Sequence, residues 1–181
     1  MEYGKLYICP TPIGNLEDIT LRTLKVLGEV DIIACEDTRH SLRLLNHYEI
    51  KKPLTSYHEH NINQKGPELI KRLLDGKNVA VISDAGMPGI SDPGADIIKL
   101  AIDEDIEVVV LPGPSASITA LVASGLNTDK FVFEGFLPSK KRDRLKALGD
   151  IVNEKRTIIL YESPHRLINF LEDALSILGD R

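Results

Sequence analysis

Short apolar runs alternate with amphipathic stretches over the first two thirds of the chain, and this alternation limits the possible folds more than any other feature. Each run has four or five residues, which suits a buried strand and is too short for a helix. Strands that alternate with helices are typical of α/β domains. The sequence therefore predicts a mostly parallel five-stranded sheet flanked by helices. The predicted strands are residues 6–9, 31–35, 54–57, 79–82 and 108–111.

A run of turn-forming residues, 83–94, follows the fourth predicted strand and holds three glycines, two prolines and two aspartates. Most connections in compact domains need about four to six residues, so a loop of this length and composition indicates a binding site. Ligands of parallel sheets bind beyond the carboxyl ends of the strands. Gly86 lets the backbone approach a ligand closely, and Asp84 offers a carboxylate to an amine or a ribose hydroxyl. Neither the usual dinucleotide fingerprint nor the P-loop signature is present in the sequence.

Three further loops follow predicted strands and share that edge of the sheet. After the first strand, Thr11 and Asn15 offer hydrogen-bonding groups, although such residues also cap helices. After the second, Glu36 is a candidate general base and Arg39 a candidate phosphate ligand, while their neighbours serve equally well as helix caps. After the fifth, residues 112–116 open a helix whose free amides can receive an adenosine or a carboxylate. We predict Glu36, Arg39 and Asn15 as catalytic residues.

The composition of the chain changes after the first sheet. Residues 131–133 are predicted as a last strand, and the glycine and proline that follow indicate a stiff hinge. One strand and two helices remain, too few to enclose a core. Lys140, Lys141 and Arg142 form a local basic run that can bind phosphates or remain a solvated helix face. The predicted parts are an N-terminal α/β domain (1–134), a hinge (135–138) and an incomplete second α/β domain (139–181).

The 181 residues carry a formal net charge of −5, so no overall basic field attracts nucleic acid or a membrane surface. The sequence has neither a signal peptide pattern nor an apolar stretch of bilayer length, which predicts a cytoplasmic protein. Cys9 and Cys35 lie in apolar runs and are expected to be reduced core thiols. Residues 58–60, His-Glu-His, are a weak metal signal without a clear third ligand, so no metal is predicted.

Eight motifs along the whole chain together resemble one family. They are TPIGNL (11–16), DIT (18–20), EDTR (36–39), YHEHN (57–61), the loop 83–94, PGPSA (112–116), GFLP (135–138) and YESPHR (161–166). The chain is similar to the ribosomal RNA small-subunit methyltransferase I family, within the tetrapyrrole-methylase-like class III methyltransferases. Members of this superfamily place S-adenosylmethionine in a cleft between two α/β domains and usually dimerise.

The resemblance implies 2'-O-methylation of a cytidine in the decoding region of 16S rRNA, with the 30S subunit as partner and a homodimer as the whole protein's assembly. The implied contacts of S-adenosylmethionine are Pro10, Thr11, Asp84, Gly86, Met87, Ser115, Ala116 and Leu137. The candidate RNA ligands are Arg39, Lys140, Lys141, Arg142 and Arg166. Met87 departs from the threonine that is most common there, which matters little for a main-chain contact.

Two other functions remain open at this stage. Methylation of a tetrapyrrole carbon requires a wide apolar trough, whereas the predicted loops are polar and charged. A non-catalytic module that only binds the cofactor is the alternative from another class. The superfamily's members are longer than this chain, so much of the second domain's sheet is expected to be missing.

Overall fold

The computed structural model describes residues 3–180; Met1, Glu2 and Arg181, the outer ends of the predicted domains, lie outside the described residues. Five strands form one sheet in which every pair is parallel. They are β1 (Leu6–Ile8), β2 (Ile32–Cys35), β3 (Leu54–Ser56), β4 (Val79–Ile82) and β5 (Val108–Val110). Their order in the sheet is β3-β2-β4-β1-β5. The predicted five-stranded parallel α/β fold is confirmed.

Helices connect these strands and continue beyond them. They are α1 (Leu21–Glu29), α2 (Thr38–His47), α3 (Ile62–Leu74), α4 (Gly94–Asp103), α5 (Ala116–Ser124), α6 (Lys141–Asp150) and α7 (Leu167–Leu178), with a short 3₁₀ helix at Leu16–Asp18. The Thr20 hydroxyl caps α1 by accepting from the Thr23 amide at 3.0 Å. Asp37 caps α2, since its carboxylate accepts from the Arg39 amide at 2.8 Å. Between residues 3 and 180, no helix combines the length and apolarity that a membrane span requires.

The core of the first sheet lies on both of its faces. Every residue of β4 is buried, with Val79 and Val81 in one apolar cluster and Ala80 and Ile82 in another. Successive side chains of a strand point to opposite faces, so β4 contributes to both clusters. Burial of both faces leaves the ends of the strands as the places where polar groups reach solvent.

The start of α3 differs from the sequence prediction, which placed it near Pro67. The helix begins at Ile62 and carries Pro67 in its interior. The Asn61 carbonyl accepts from the amides of Gln64 and Lys65 at 3.0 and 2.8 Å and so begins the helical hydrogen bonding one turn earlier. The Asn61 side chain accepts from the His58 amide at 2.9 Å and closes the preceding turn. A proline therefore marks the first turns of this helix and not its first residue.

The contacts divide the chain into two compact units between Ala116 and Ser117. In the second unit, β6 (Phe131–Phe136) pairs in parallel with β7 (Thr157–Tyr161). Residues 131–133, predicted as a strand of the first domain, thus belong to the second sheet. Gly135, read as part of a hinge, has a φ of +63° and lies at a register shift within β6. A β-bulge explains the glycine here, because the left-handed backbone at a bulge favours that residue.

Candidate active site

The loops that follow β1 and β4 are joined by backbone hydrogen bonds. Thr11 and Gly86 exchange two of them, each 3.0 Å long. The buried Thr11 hydroxyl donates to the Ser83 carbonyl at 3.0 Å, and the Ser83 hydroxyl donates to the Gly86 carbonyl at 3.0 Å. These bonds hold the two loops as one rigid edge beyond the carboxyl ends of neighbouring strands.

Two glycines permit this close approach of loops. Gly86 has a φ of +84°, and a Cβ there would lie 3.3 Å from Ile13 Cγ2. A Cβ on Gly113, in the loop after β5, would lie 2.7 Å from Pro10 Cβ. The loop after β5 therefore packs directly on the loop after β1, and three neighbouring strands, β4, β1 and β5, end in one continuous surface.

This surface holds all but one of the residues predicted to contact a cofactor. Asp84, Met87 and Ser115 are half-buried there, and Ala116 is exposed. The other three predicted cofactor contacts on this surface, which are buried, are Pro10, Thr11 and Gly86. The structure brings these seven residues together, while their contacts with a cofactor stay a prediction.

Asp92 braces the far end of the 83–94 loop. Its Oδ1 accepts from the amides of Gly89 and Gly94 at 2.7 Å each. Burial raises the pKa of the Asp92 carboxyl, although the two amide donors oppose that shift. Ser91 beside it has a φ of +62°, a strained conformation for a residue with a side chain. Two hydrogen bonds within the loop therefore hold its far end around the strained Ser91 backbone.

Glu36 lies at the end of β2, between this surface and β3. Desolvation raises the pKa of its carboxyl above the ordinary glutamate value, and the nearby carboxylates of Asp84 and Asp92 raise it further. The Asp84 carboxylate also accepts from the Asp37 amide at 3.2 Å, which ties the loop after β4 to the end of β2. A carboxyl group with a raised pKa is suited to proton transfer.

The other two residues predicted as catalytic make local contacts. The Arg39 side chain is exposed and donates to the Asp37 carboxylate from Nε at 3.3 Å and from Nη2 at 3.0 Å. These bonds lower the pKa of Asp37 to about 2. Asn15 is exposed, and its side-chain oxygen caps the 3₁₀ helix by accepting from the Glu17 amide at 3.1 Å. The catalytic roles of Arg39 and Asn15 stay predictions.

A cleft of about 370 Å³ on the first unit was not found from the sequence. Four of its lining side chains are carboxylates, those of Glu36, Glu59, Asp92 and Asp96. They follow β2, β3 and β4, which are adjacent in the sheet, but the strand order that unites them is not visible in a single sequence. Within residues 3–180 no three acidic, histidine or cysteine side chains are grouped closely enough to hold a metal ion.

The basic run of the second unit is partly structural. Arg144, in α6, is buried and donates to the Asp173 carboxylate from Nε at 2.9 Å and from Nη2 at 2.6 Å. Lys141 lies 3.4 Å from the same carboxylate. Lys140 and Arg142 are exposed and have no ion-pair partner in the part of the chain that the structure describes. Of the basic run, these two are therefore the accessible and unpaired cations among the described residues.

The two other predicted site residues of the second unit are engaged within it. Arg166 lies 2.6 Å from the carboxylate of Glu162, whose side chain is only 4% exposed. Leu137, the eighth predicted cofactor contact, is buried in a small core with Leu148 and Phe170. Both therefore have structural partners, and their roles toward RNA and cofactor stay predictions.

Residues 5–181 match the family of tetrapyrrole (corrin/porphyrin) methylases, and the chain belongs to this family. The chain is 53% identical over 178 residues to the protein named ribosomal RNA small subunit methyltransferase I of Halalkalibacterium halodurans. It is 52% identical over 177 residues to the protein of the same name from Haemophilus influenzae. Each alignment covers 98% of this chain and 62% of the relative. The resemblance drawn from the motifs is confirmed, and the chain spans about three fifths of its relatives' length.

Solved structures of low sequence identity share the fold. The uroporphyrin-III-C-methyltransferase of Thermus thermophilus has a TM-score of 0.65 and 21% identity, covering 96% of this chain and 73% of that one. A structure of the T. thermophilus enzyme complexed with S-adenyl homocysteine has a TM-score of 0.64 and 17% identity, covering 98% and 78%. A conserved hypothetical protein from Aeropyrum pernix K1 has a TM-score of 0.75 and 17% identity, covering 98% and 67%. These likenesses establish the class III fold.

Proposed function

We propose that this chain is the catalytic part of an S-adenosylmethionine-dependent methyltransferase that modifies RNA of the small ribosomal subunit. The observation that carries the proposal is identity above 50% over 98% of the chain to relatives that bear this activity in their names. The joined loops after β1, β4 and β5 are consistent with it, because class III neighbours of the same fold include a complex with the demethylated cofactor.

The residues at those three loops fit the proposed cofactor. The half-buried Asp84 carboxylate can accept from an amine or a ribose hydroxyl, and Gly86 lets its loop pack on Ile13 without a crowded Cβ. Thr11 and Ser115 would line the same surface, and main-chain groups of Met87 would contact the cofactor. Pro10 and Ala116 are the other proposed contacts at these loops. Bound S-adenosylmethionine supplies a methyl group already activated on a sulfonium sulfur, so no metal is needed for its transfer.

The proposed acceptor is the 2'-oxygen of a cytidine in the decoding region of 16S rRNA. A ribose hydroxyl becomes an effective nucleophile as it loses its proton, and the Glu36 carboxylate would take that proton while the oxygen gains the methyl group. The raised pKa of Glu36 makes it a better proton acceptor than an ordinary glutamate. Positioning of the two reactants would contribute more to lowering the barrier to methyl transfer, up to about 7–11 kcal/mol.

The proposed partner is the assembled 30S subunit in the cytoplasm, and the proposed assembly of the whole protein is a homodimer. A chain with a net charge of −5 has no general attraction for free RNA. Binding would rest on local cations, with Lys140 and Arg142 as the accessible ones and Arg39, Lys141 and Arg166 as cations already paired with carboxylates. A preassembled particle offers those few contacts in a fixed geometry.

Methylation of a tetrapyrrole is less consistent with the site, although it names the family. Uroporphyrins carry carboxylate side chains, and the cleft beside the proposed cofactor surface is itself lined by four carboxylates. Like charges at close range repel each other, most strongly where water is partly excluded. A module that binds the cofactor without catalysis would have no use for the carboxylate of Glu36 at this place.

The proposal is tested by methyl transfer from labelled S-adenosylmethionine to 30S subunits that lack the modification. We would compare this chain with a chimera that adds the parts of the H. halodurans relative that lie outside the matched residues. The proposal expects RNA label with the chimera, and its loss with Asp84→Ala but not with Asp75→Ala, an exposed residue at the end of α3. Absence of label with both proteins would overturn the proposal.

A further inference from the structure

Helix α2 differs from the other helices in its balance of charge. Its ten residues include two arginines and two histidines and no acidic side chain. Every other described helix that has a charged residue has at least one carboxylate. The chain as a whole has a net charge of −5, so α2 is a local exception to the charge of the protein. A cationic surface of this kind attracts an anionic partner.

Three of these side chains form one row along the exposed face of α2. Arg39, Arg43 and His47 are spaced four residues apart, which puts them on the same side of the helix at intervals of about 6 Å. All three are exposed. The opposite side of the helix is buried, with Leu44 and Leu45 in a core cluster of the first sheet. The row therefore faces solvent over a length of about 12 Å.

The two arginines of the row are available to an external anion. Arg43 has no ion-pair partner in the part of the chain that the structure describes. Arg39 pairs with Asp37, but its side chain is 89% exposed, and ion pairs in water contribute little to stability. A phosphate group can therefore replace Asp37 at small cost, because guanidinium groups bind phosphate oxygens in a bidentate geometry.

Both ends of α2 are fixed to loops of the candidate active site. At its start, the Asp37 amide donates to the Asp84 carboxylate at 3.2 Å. At its end, the Tyr48 hydroxyl donates to the Leu16 carbonyl, in the loop after β1, at 2.5 Å. The helix begins two positions beyond Glu36, the proposed base. An anionic chain bound along the row would therefore reach the proposed base at the start of the helix.

The far end of the row adds an aromatic surface, which is independent of the charge balance. The exposed His47 ring lies against Tyr48 with the ring centroids 4.7 Å apart and the ring planes at 87°. Aromatic rings beside cations bind single-stranded RNA, because the bases stack on the rings while the cations contact the backbone. This combination favours RNA over a polyanion that has no bases.

We propose that the row Arg39, Arg43 and His47 binds the single-stranded RNA next to the methylated nucleotide, with the arginines on successive phosphates and the His47 ring against a base. The inference rests on the proposed function, and it adds the surface along which the substrate RNA reaches Glu36. Arg39 lies nearest the acceptor nucleotide and His47 farthest from it.

Binding of a short fluorescent single-stranded RNA, with one cytidine among uridines, to the 181-residue chain tests this proposal. Anisotropy titrations at several salt concentrations give the slope of log K against log salt, to which each phosphate contact contributes about 0.7. Arg43→Gln should lower the size of this slope by about 0.7 and the affinity by about fivefold. The double variant Arg39→Gln, Arg43→Gln should lower the slope by about 1.4.

The matched control is Lys99→Gln, which makes the same change of charge at an exposed position of α4. This helix packs on the opposite face of the sheet from α2, so the control should leave the slope and the affinity unchanged. All substituted side chains are exposed, and the free energy of unfolding in denaturant titration should not change. A wild-type slope in the double variant, an equal loss in Lys99→Gln, or no RNA binding by the wild-type chain would overturn the proposal.

The aromatic contact has its own test. His47→Leu should weaken RNA binding by about threefold or more, whereas His47→Phe, which keeps an aromatic ring, should retain it. Inorganic polyphosphate has no base to stack, so its binding should be the same in His47→Leu and the wild type at about pH 8, where histidines are generally uncharged. Equal losses for RNA and polyphosphate would overturn the assignment of this row to RNA.

A parallel titration of the ¹⁵N-labelled chain with S-adenosylhomocysteine, followed by amide NMR, distinguishes this proposal from the proposed function. Its expected shifts lie near Thr11 and Gly86 and should persist in Arg43→Gln. If those shifts are absent while RNA still binds along α2, the methyltransferase assignment fails and the RNA surface stands. If they are present while the α2 variants bind RNA as the wild type does, the proposal for α2 fails by itself.

Discussion

Gly86 carries much of the geometry of the proposed cofactor surface. Its positive φ turns the 83–94 loop back so that its amide and carbonyl both bond to Thr11, and its missing side chain leaves Ile13 undisturbed. In this region of φ, backbone strain destabilises a residue that has a Cβ by about 1–2 kcal/mol.

We predict that Gly86→Ala lowers the free energy of unfolding by about 1–2 kcal/mol in denaturant titration. The matched control is Gly28→Ala in α1, where φ is not positive and no atom lies within 4 Å of the added methyl group. That variant should raise stability by about 0.5 kcal/mol, because alanine is the better helix former. Equal changes in the two variants would contradict the role given to the Gly86 backbone.

For the proposed base, we predict that Glu36→Gln lowers the rate of methyl transfer by about 10²- to 10⁴-fold in the chimera and leaves affinity for S-adenosylhomocysteine unchanged. A base must be ionised to act, so the wild-type rate should rise with pH through a pKa above the ordinary glutamate value and then level off. Single-turnover rates across pH measure both effects. A rate that is insensitive to the substitution would remove Glu36 from the mechanism.

At the residue scale, the sequence predicted the loops better than the cleft. Gly86, Asp84 and Thr11 stood out because turn-forming and polar residues are concentrated after apolar strands. Asp96 did not, since it lies in an ordinary amphipathic helix, and Tyr57 stood out only as part of the YHEHN motif, residues 57–61. Their relation to Glu36 depends on the order of strands, which only the folded chain shows.

At the element scale, five strands could be predicted to within one residue at either end, because buried parallel strands are short, apolar and bounded by turns. The sequence prediction and the structure differ at the boundary near residue 135. A glycine followed by a proline indicated a hinge, whereas Gly135 lies at a bulge inside β6. The pairing of β6 with β7 involves residues about 26 apart, and no local pattern reveals it.

The packing of α6 on α7 depends on a buried ion pair that charge patterning alone did not reveal. We predict that Arg144→Met speeds amide hydrogen exchange in both helices by about tenfold or more, because it leaves the buried Asp173 carboxylate without its guanidinium partner. Arg142→Ala, an exposed arginine of the same helix, should have no such effect. The double variant Arg144→Met, Asp173→Leu should restore protection; failure to do so would contradict the role of a buried carboxylate that keeps only Lys141 as its partner.

At the scale of the whole molecule, one edge of the sheet carries two polar regions. The loops after β4, β1 and β5 form the proposed surface for S-adenosylmethionine, and the carboxylates after β3, β2 and β4 line the neighbouring cleft. Glu36 lies where the two regions meet. Identity above 50% along the chain to relatives named for rRNA methylation supports the proposed use of this edge by a methyltransferase.

The most direct test of the central claim is the identity of the nucleoside that becomes labelled. Small-subunit RNA methylated by the chimera would be digested to nucleosides and analysed by mass spectrometry. The account predicts 2'-O-methylcytidine as the single labelled product. A methyl group on a base, or a label on a nucleoside other than cytidine, would contradict it.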